Sequence, residues 1–572
     1  MSHYTVVCYC LLLFSDVSFC MLSILSYYFV FSDVEVKASM QALAPEKRCL
    51  SCWQHEDFTV HRCVTELDHK QSNIGAAVPC HYIKGPFSHT QGQVVDNSSL
   101  LLQRLALLYN NEVLSDITVV VGDKRFYAHK LILCSSSEIF KIMLTNECWS
   151  DSGKQCIVLT EEEPCVDVFD IFLHYLYSAV IHLSHDSVLP VLMLADKYDV
   201  IDLQILCCDY MISHLVSTVS ENQAVSWYEY GLLANHTALA EQCEHFIMWN
   251  FRKIASTKHF YDMRAHTLQH FIQSSDLVIQ DEYTLFQILA KWLRHSSPEQ
   301  LLGDAAAAAA TTSMEELDVP VRVARDDALA LLSCVRFPMM PPQHLVQLQQ
   351  EPLARFYSDF FIGRIELAMR LHYVTDDGDE RQQQQQRRLL TKRHGILQAD
   401  EEHLIRSRCY TDDTWCTTVN IEDYNAVKQY SVLKPVTFSS PISAAQVDEN
   451  RGLSWELSVY PKGVQHDKFV IVSLLRHLQG PSASLDVFRL MLKSNDKRQC
   501  TVDVSVLLFG AQDNVEYVKK LYSRRCIFDQ QTTAYNLDDV AQLCDLNGNV
   551  HSPYFVGKSS DAMKLSIIIK PV

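Results

Sequence analysis

Residues with the types and spacing for chemistry fall in two places. Cys49-Leu50-Ser51-Cys52 is followed by His55, His61, Cys63 and Cys80. A tetrahedral zinc ion takes its ligands from such thiolates and imidazoles once two turns bring them together. A firm zinc signature has a second closely spaced pair, whereas His61 and Cys63 are separated by one residue. The segment reads better as unpaired cysteines in a disordered or irregular arm. Farther on, Asp116 and the pair His129-Lys130 supply a carboxylate, an imidazole and an amine, groups suited to acid–base catalysis. No nucleophile lies at a telling spacing, and the plainer role is to cap and pin a hairpin-to-helix corner. No phosphate-cradling loop or nucleophile–base pattern stands out elsewhere. The chain is therefore expected to be no enzyme, with no catalytic residue, no cofactor and no metal.

The elements that would position any site are drawn from 572 residues, enough for about three to five domains. Hydrophobic residues make up 48% and charged residues 20%, which excludes disorder throughout. Lys+Arg number 49 against 68 Asp+Glu, a net charge of −19. That balance argues against a broad phosphate-binding face, so no nucleic-acid partner is expected. Residues 4–31 are nearly all apolar, with Asp16 the single charge. That is long enough to cross a bilayer, which needs about 20 apolar residues. The basic start and small-residue cleavage pattern of an ordinary signal peptide are missing. A signal anchor, an atypical signal peptide and an upstream extension before Met40 all stay open. Many of the 20 cysteines, such as Cys134, Cys207, Cys208 and Cys243, sit in apolar periodic runs, where a free thiol serves as a small hydrophobe. Such a spread does not resemble a disulfide framework. Asn97-Ser98-Ser99 and Asn235-His236-Thr237 are glycosylation sequons, but the second falls inside a helical pattern, a poor place for a glycan. The expected location is cytoplasmic, the alternative being secretion or membrane anchoring through residues 4–31.

After the apolar segment 1–31 and the irregular arm 32–98, the character changes at Ser99. Leu100, Leu101, Leu102, Leu105, Leu107 and Leu108 form a wide apolar helical stripe. Residues 115–121 read as a β-branched strand, Gly122-Asp123 as a turn and residues 125–128 as its hairpin partner. Helices are expected from His129, over 136–144, 166–177, 188–198 and 203–214, with a strand over 156–159. Asp116, Phe126-Tyr127-Ala128-His129-Lys130, Leu133, Ser136-Ser137, Phe140 and Met143 resemble the core signature of a BTB/POZ domain. Phe172-Leu173-His174-Tyr175-Leu176-Tyr177 and Leu194-Ala195-Asp196-Lys197-Tyr198 resemble its second half. The resemblance assigns 99–217 to an α/β BTB/POZ domain that homodimerises, with Leu101, Leu105 and Leu108 at the seam. About half of those leucines are expected to serve their own core.

Residues 218–360 carry apolar and aromatic positions three and four apart, from Trp227 through Phe246, Ile247 and Phe251 to Trp292-Leu293. They resemble an all-α BACK domain, interrupted by six alanines at 305–310. A linker, 361–407, contains Gln382–Gln386. From 408 to 572 the alternation has period two, with strands expected over 453–460, 469–475, 483–492, 501–508 and 564–570. Trp455-Glu456-Leu457-Ser458-Val459-Tyr460-Pro461-Lys462-Gly463 resembles a strand of MATH/TRAF-like antiparallel β-sandwiches. The fold class expected is thus multidomain α+β.

That order of domains resembles non-catalytic scaffolds. It implies a homodimeric adaptor that joins a cullin-3 ubiquitin ligase to an unknown protein held by the sandwich. In cullin-binding relatives the loop after the Phe140 helix carries a hydrophobic-x-Glu triplet. Here Asn146, Glu147, Cys148, Trp149 and Ser150 occupy that place, with Ser150 where Glu is expected and with Glu147 and Asp151 nearby. The alternative is a secreted or tethered BTB-dimerised binding protein unrelated to ubiquitin.

Overall fold

The computed structural model describes residues 96–216, 222–295, 323–373, 404–441, 452–464, 487–496, 499–512, 515–547, 552–557 and 561–572. All belong to one compact unit, Val95–Val572. The cysteine-rich arm, the apolar opening, the alanine and glutamine runs and the strand expected over 469–475 lie outside the described residues.

The first block is built on a hairpin. Strands β1 (Ile117–Val121) and β2 (Lys124–Ala128) follow helix α1 (Ser98–Ala106). Gly122 has φ +57° at the turn, a conformation that glycine adopts without a Cβ clash. Helices α2 (Lys130–Ser136) and α3 (Glu138–Thr145) lead to β3 (Cys156–Leu159), which pairs with β1 in parallel. Helices α4 (Glu163–Ser178), α5 (His185–Lys197) and α6 (Ile201–Ser213) cover the sheet. Alternate residues Ile117, Val119 and Val121 are buried, as a sheet with one covered face requires. Ser137 starts α3 by accepting a hydrogen bond from the Phe140 N–H, and the Phe140 ring stacks on Tyr198 at 4.4 Å.

Helices then dominate: α7 (Ala224–Leu233), α8 (Thr237–Trp249), α9 (Phe251–Ile254) and α10 (Ala265–Gln273). A two-residue strand β4 (Val278–Ile279) precedes α11 (Glu282–Arg294), whose N-cap Asp281 accepts from the Thr284 N–H. Helices α12 (Arg325–Ser333), α13 (Pro342–Leu348), α14 (Pro352–Phe356) and α15 (Ser358–Tyr373) complete the block. Two sequence expectations are corrected here. Helix α15 runs past the boundary placed at residue 360, because Phe361, Ile365, Ala368 and Leu371 are buried along it. Asn235 lies in the turn between α7 and α8 at φ +62°, outside either helix.

The C-terminal block has strands β5 (Cys409–Tyr410), β6 (Cys416–Ile421), β7 (Val436–Ser440), β8 (Leu453–Tyr460), β9 (Arg489–Ser494), β10 (Cys500–Gln512), β11 (Val515–Phe528) and β12 (Ala534–Leu537). A short helix α16 (Leu543–Asn547) precedes β13 (Phe555–Val556) and β14 (Ala562–Pro571). One sheet runs β11-β10-β14-β13 with β6 also on β14, and the other runs β12-β9-β8-β7. Trp455, Leu457, Leu490, Val504, Val506 and Ile567 fill the space between them. Gly510 passes so close to the Pro553 carbonyl that an added Cβ would lie 2.2 Å from its oxygen.

Candidate interaction surfaces

Asp116 and His129 of the acid–base trio hold the hairpin-to-helix corner. The Asp116 carboxylate accepts from the Lys130 N–H at 2.7 Å and so caps α2. The His129 ring is buried, with Nδ1 3.0 Å from the Tyr177 hydroxyl and Nε2 3.2 Å from the Val113 carbonyl. Burial pushes the Tyr177 phenol up to about 12. Among the described residues, no group of three or more His, Cys, Asp or Glu could hold a metal ion. The described cysteines are all free, and Cys148, Cys156 and Cys544 are exposed.

Apolar side chains face solvent in two places on the first block. Along α1 and the turn that follows it, Leu105 and Leu108 are half-buried against the domain's own core, while Leu101 is 57% exposed and Leu100, Leu102 and Leu107 stand out beside it. The stripe therefore divides, one side packing inward and the other left open. Further exposed apolar side chains lie at the end of α3 and on α6, Ile142 and Trp149 at the former and Ile201 and Ile205 on the latter. The contacts of Phe140 and Ser137 with Tyr198 bring α3 against the turn that begins α6. Asn146 shapes the intervening loop, its side-chain oxygen accepting from the Cys148 N–H and its carbonyl from the Trp149 N–H. Residues 146–150 are all exposed. Of the two acids near Ser150, Asp151 is paired with Lys154 at 2.8 Å. Glu147 is exposed and makes no ion pair among the described residues. The α6 residues carried no sequence signal of their own, since an apolar helical position reads the same whether it faces core or solvent.

A third surface is already occupied, by the chain itself. Strand β5 pairs in parallel with β4, 131 residues earlier, in the register Val278↔Cys409 and Ile279↔Tyr410. Val278, Cys409, Leu507, Val518 and Ile568 form a core cluster between helices and sandwich. Asn250 clamps this contact, accepting from the Val518 N–H at 2.8 Å and donating to the Val518 carbonyl at 3.1 Å. Beneath lies the buried carboxylate of Glu282, which accepts from Arg408 Nε at 2.6 Å, the Tyr410 hydroxyl at 2.7 Å and the Arg336 N–H at 3.0 Å. Arg408 also donates to the Ser274 and Cys334 carbonyls, and Arg336 to the Arg406 and Gln273 carbonyls. Burial by itself would raise the Glu282 pKa, but the two guanidiniums outweigh it and hold it below its ordinary value. Burial, with Arg408 alongside, pushes Arg336 down to about 10. A sequence signal for this junction does exist. Leu565-Ser566-Ile567-Ile568-Ile569 is buried at every position, and a strand covered on both faces loses its alternation.

Family models match in the order that the geometry suggests. The BTB/POZ domain matches residues 105–215, the BACK domain ("BTB And C-terminal Kelch") residues 224–304, and the "BTBD17 TRAF domain" residues 405–572. This is a BTB–BACK protein with a TRAF-like C-terminal domain. It is similar to BTB/POZ domain-containing protein 17 of Mus musculus, 32% identical over 269 residues, 46% of this chain and 49% of that protein. Galectin-3-binding protein of Bos taurus is 26% identical over 341 residues, 58% of this chain and 51% of the relative. Kelch-like protein 41b of Danio rerio is 28% identical over 206 residues, 36% and 33% of the two chains. The chain thus spans about half the length of the first curated relatives it matches. BTB, BACK and TRAF-like domains are typically interaction modules, and in this chain the TRAF-like sandwich and the BACK helices meet across the β4–β5 pair.

Proposed function

We propose that this BTB–BACK protein is a homodimeric adaptor that presents a protein bound by its sandwich to a cullin-3 ubiquitin ligase. The observation that carries the reading is the exposure of Ile142 and Trp149 at the end of α3 and its loop, and of Ile201 and Ile205 on α6, the helix whose opening turn packs on α3. Burying one such side chain contributes about 1.5–3 kcal/mol, and a few anchors of this kind dominate a typical interface. Ser150 stands where cullin-binding relatives have Glu, and Glu147 supplies the negative charge from the same loop. Resemblance to a Kelch-like protein supports the same reading. The α1 leucines would close the dimer, and the adaptor would act by raising the local concentration of its bound protein near the ligase.

Binding of the full chain to purified cullin-3, read by calorimetric titration, tests the proposal. Trp149→Ala and Ile205→Asp should each weaken binding at least tenfold, while Leu101→Asp should leave the per-chain affinity unchanged. Failure of the wild-type chain to bind would sink it. A second reading, a secreted or tethered binding protein, is favoured by the likeness to galectin-3-binding protein. Recovery of the chain from medium with a cleaved N-terminus, together with absent cullin binding, would select it.

A further inference from the structure

Ser150 lies in the connection from α3 to β3, where residues 146–155 form neither helix nor strand. Turns shape this segment: the Trp149 N–H donates to the Asn146 carbonyl at 3.0 Å, and the Ser152 N–H to the Trp149 carbonyl at 3.1 Å. Main-chain hydrogen bonds that face water are exchanged with it at little net cost, so the segment can open into an enzyme's cleft. Ser150 itself is exposed, and its hydroxyl makes no hydrogen bond among the described residues. Carboxylates flank it in sequence. Glu147, three residues earlier, is exposed, and Asp151 follows directly. Such acids suit a kinase with a basic substrate cleft, because charge complementarity selects the partner. Asp151 holds Lys154 at 2.8 Å, and the Lys154 side chain is 51% exposed. The same loop thus carries an ammonium that a new anion can share. The exposed Trp149 is the residue just before Ser150, so a charge placed here alters the surface that the proposed adaptor uses.

We propose that Ser150 is a phosphorylation site for an acidophilic Ser/Thr kinase, and that the phosphate strengthens the cullin contact. The inference rests on the adaptor reading above, in which Ser150 takes a place that cullin-binding relatives fill with Glu. In the transfer, Ser150 Oγ attacks the γ-phosphorus of ATP while the kinase takes the hydroxyl proton. The bond from that phosphorus to the bridging oxygen breaks, and ADP leaves. A phosphoserine carries about −1.5 to −2 charges at pH 7 and three strong acceptor oxygens. That charge adds to the one on Glu147, whereas an unmodified Ser150 is neutral. The modification therefore sets the strength of the contact.

The full chain is treated with casein kinase 1 and ATP, and the phosphate is located by mass spectrometry. Binding to purified cullin-3 is then followed by calorimetric titration. Phosphate on Ser150 is expected, with binding roughly fivefold tighter than that of the untreated chain. Ser150→Glu should bind more tightly than the untreated chain without any kinase. Ser150→Ala should lose the response to the kinase, and Ser152→Ala should keep it. Phosphate on other residues with none on Ser150 overturns the proposal. An untreated chain that binds cullin-3, and binds no tighter once Ser150 is phosphorylated, overturns it while leaving the adaptor reading intact. Absence of binding by the untreated, the phosphorylated and the Ser150→Glu chains alike sinks the adaptor reading and this regulation with it.

Discussion

Glu282 is the residue on which the most charge depends. Its carboxylate sits between Arg408 and Arg336, each of the three almost wholly buried. Removing the acid leaves two guanidiniums in a dry interior, and breaking a buried pair in that way costs about 3–5 kcal/mol. Glu282→Gln, nearly isosteric, should therefore lower the stability of the chain by that order in urea melts. A loss within error of zero would show that the main-chain carbonyls around the arginines suffice. The pH dependence follows from the direction of the shift. A carboxylate whose folded pKa lies below its ordinary value of 4.5 contributes fully above that value. The contribution drains away as pH falls toward the folded pKa. Wild-type melting temperatures should thus fall on acidification more steeply than those of Glu282→Gln, and parallel curves would refute the assignment.

At the scale of elements, α1 makes the clearest demand. Leu105 on α1 and Leu108 just beyond it are committed inward, so the open side of the helix, with Leu101, is the surface that the proposed dimer would bury. Leu101→Asp should leave the fold intact, because the side chain touches no core, and should convert a dimer to a monomer in sedimentation equilibrium. A dimer that persists would place the seam elsewhere. Legibility in the sequence followed the same physics. Strand β8 (Leu453–Tyr460) was readable end to end, since Leu453, Trp455, Leu457 and Val459 alternate against one covered face. Strand β11 was not, because the bulge at Lys519 shifts the phase of its alternation midway. Strand β5 could not be read at all, for two residues carry no period and their partner lies 131 residues earlier. The Asp116 and His129 corner was legible as a cap, whereas the exposed Ile201 and Ile205 needed the packing of α3 to set them apart. Glu282 was legible only as one of the BACK-like positions and not as a buried acid, because its two arginines come from distant segments.

Across the whole molecule, the sandwich is welded to the BACK helices and not hung from them on a tether. The joint consists of a parallel strand pair, a shared apolar cluster, the Asn250 clamp and the Glu282 cluster. For the adaptor proposed above, such a joint would fix the direction in which a bound protein is held, and orientation contributes to a transfer step beyond simple tethering. The joint also makes cooperativity measurable. Helices and sandwich should unfold in calorimetry as one transition, with calorimetric and van't Hoff enthalpies in agreement. Asn250→Ala removes both main-chain hydrogen bonds to Val518 and leaves those buried groups unpaired, at about 1–3 kcal/mol each. Because that loss falls on the joint alone, it should split the single transition into two, the sandwich separating from the helices. Two well-resolved transitions already present in the wild type, unmoved by Asn250→Ala, would mean that the joint does not couple the domains and that the sandwich swings free.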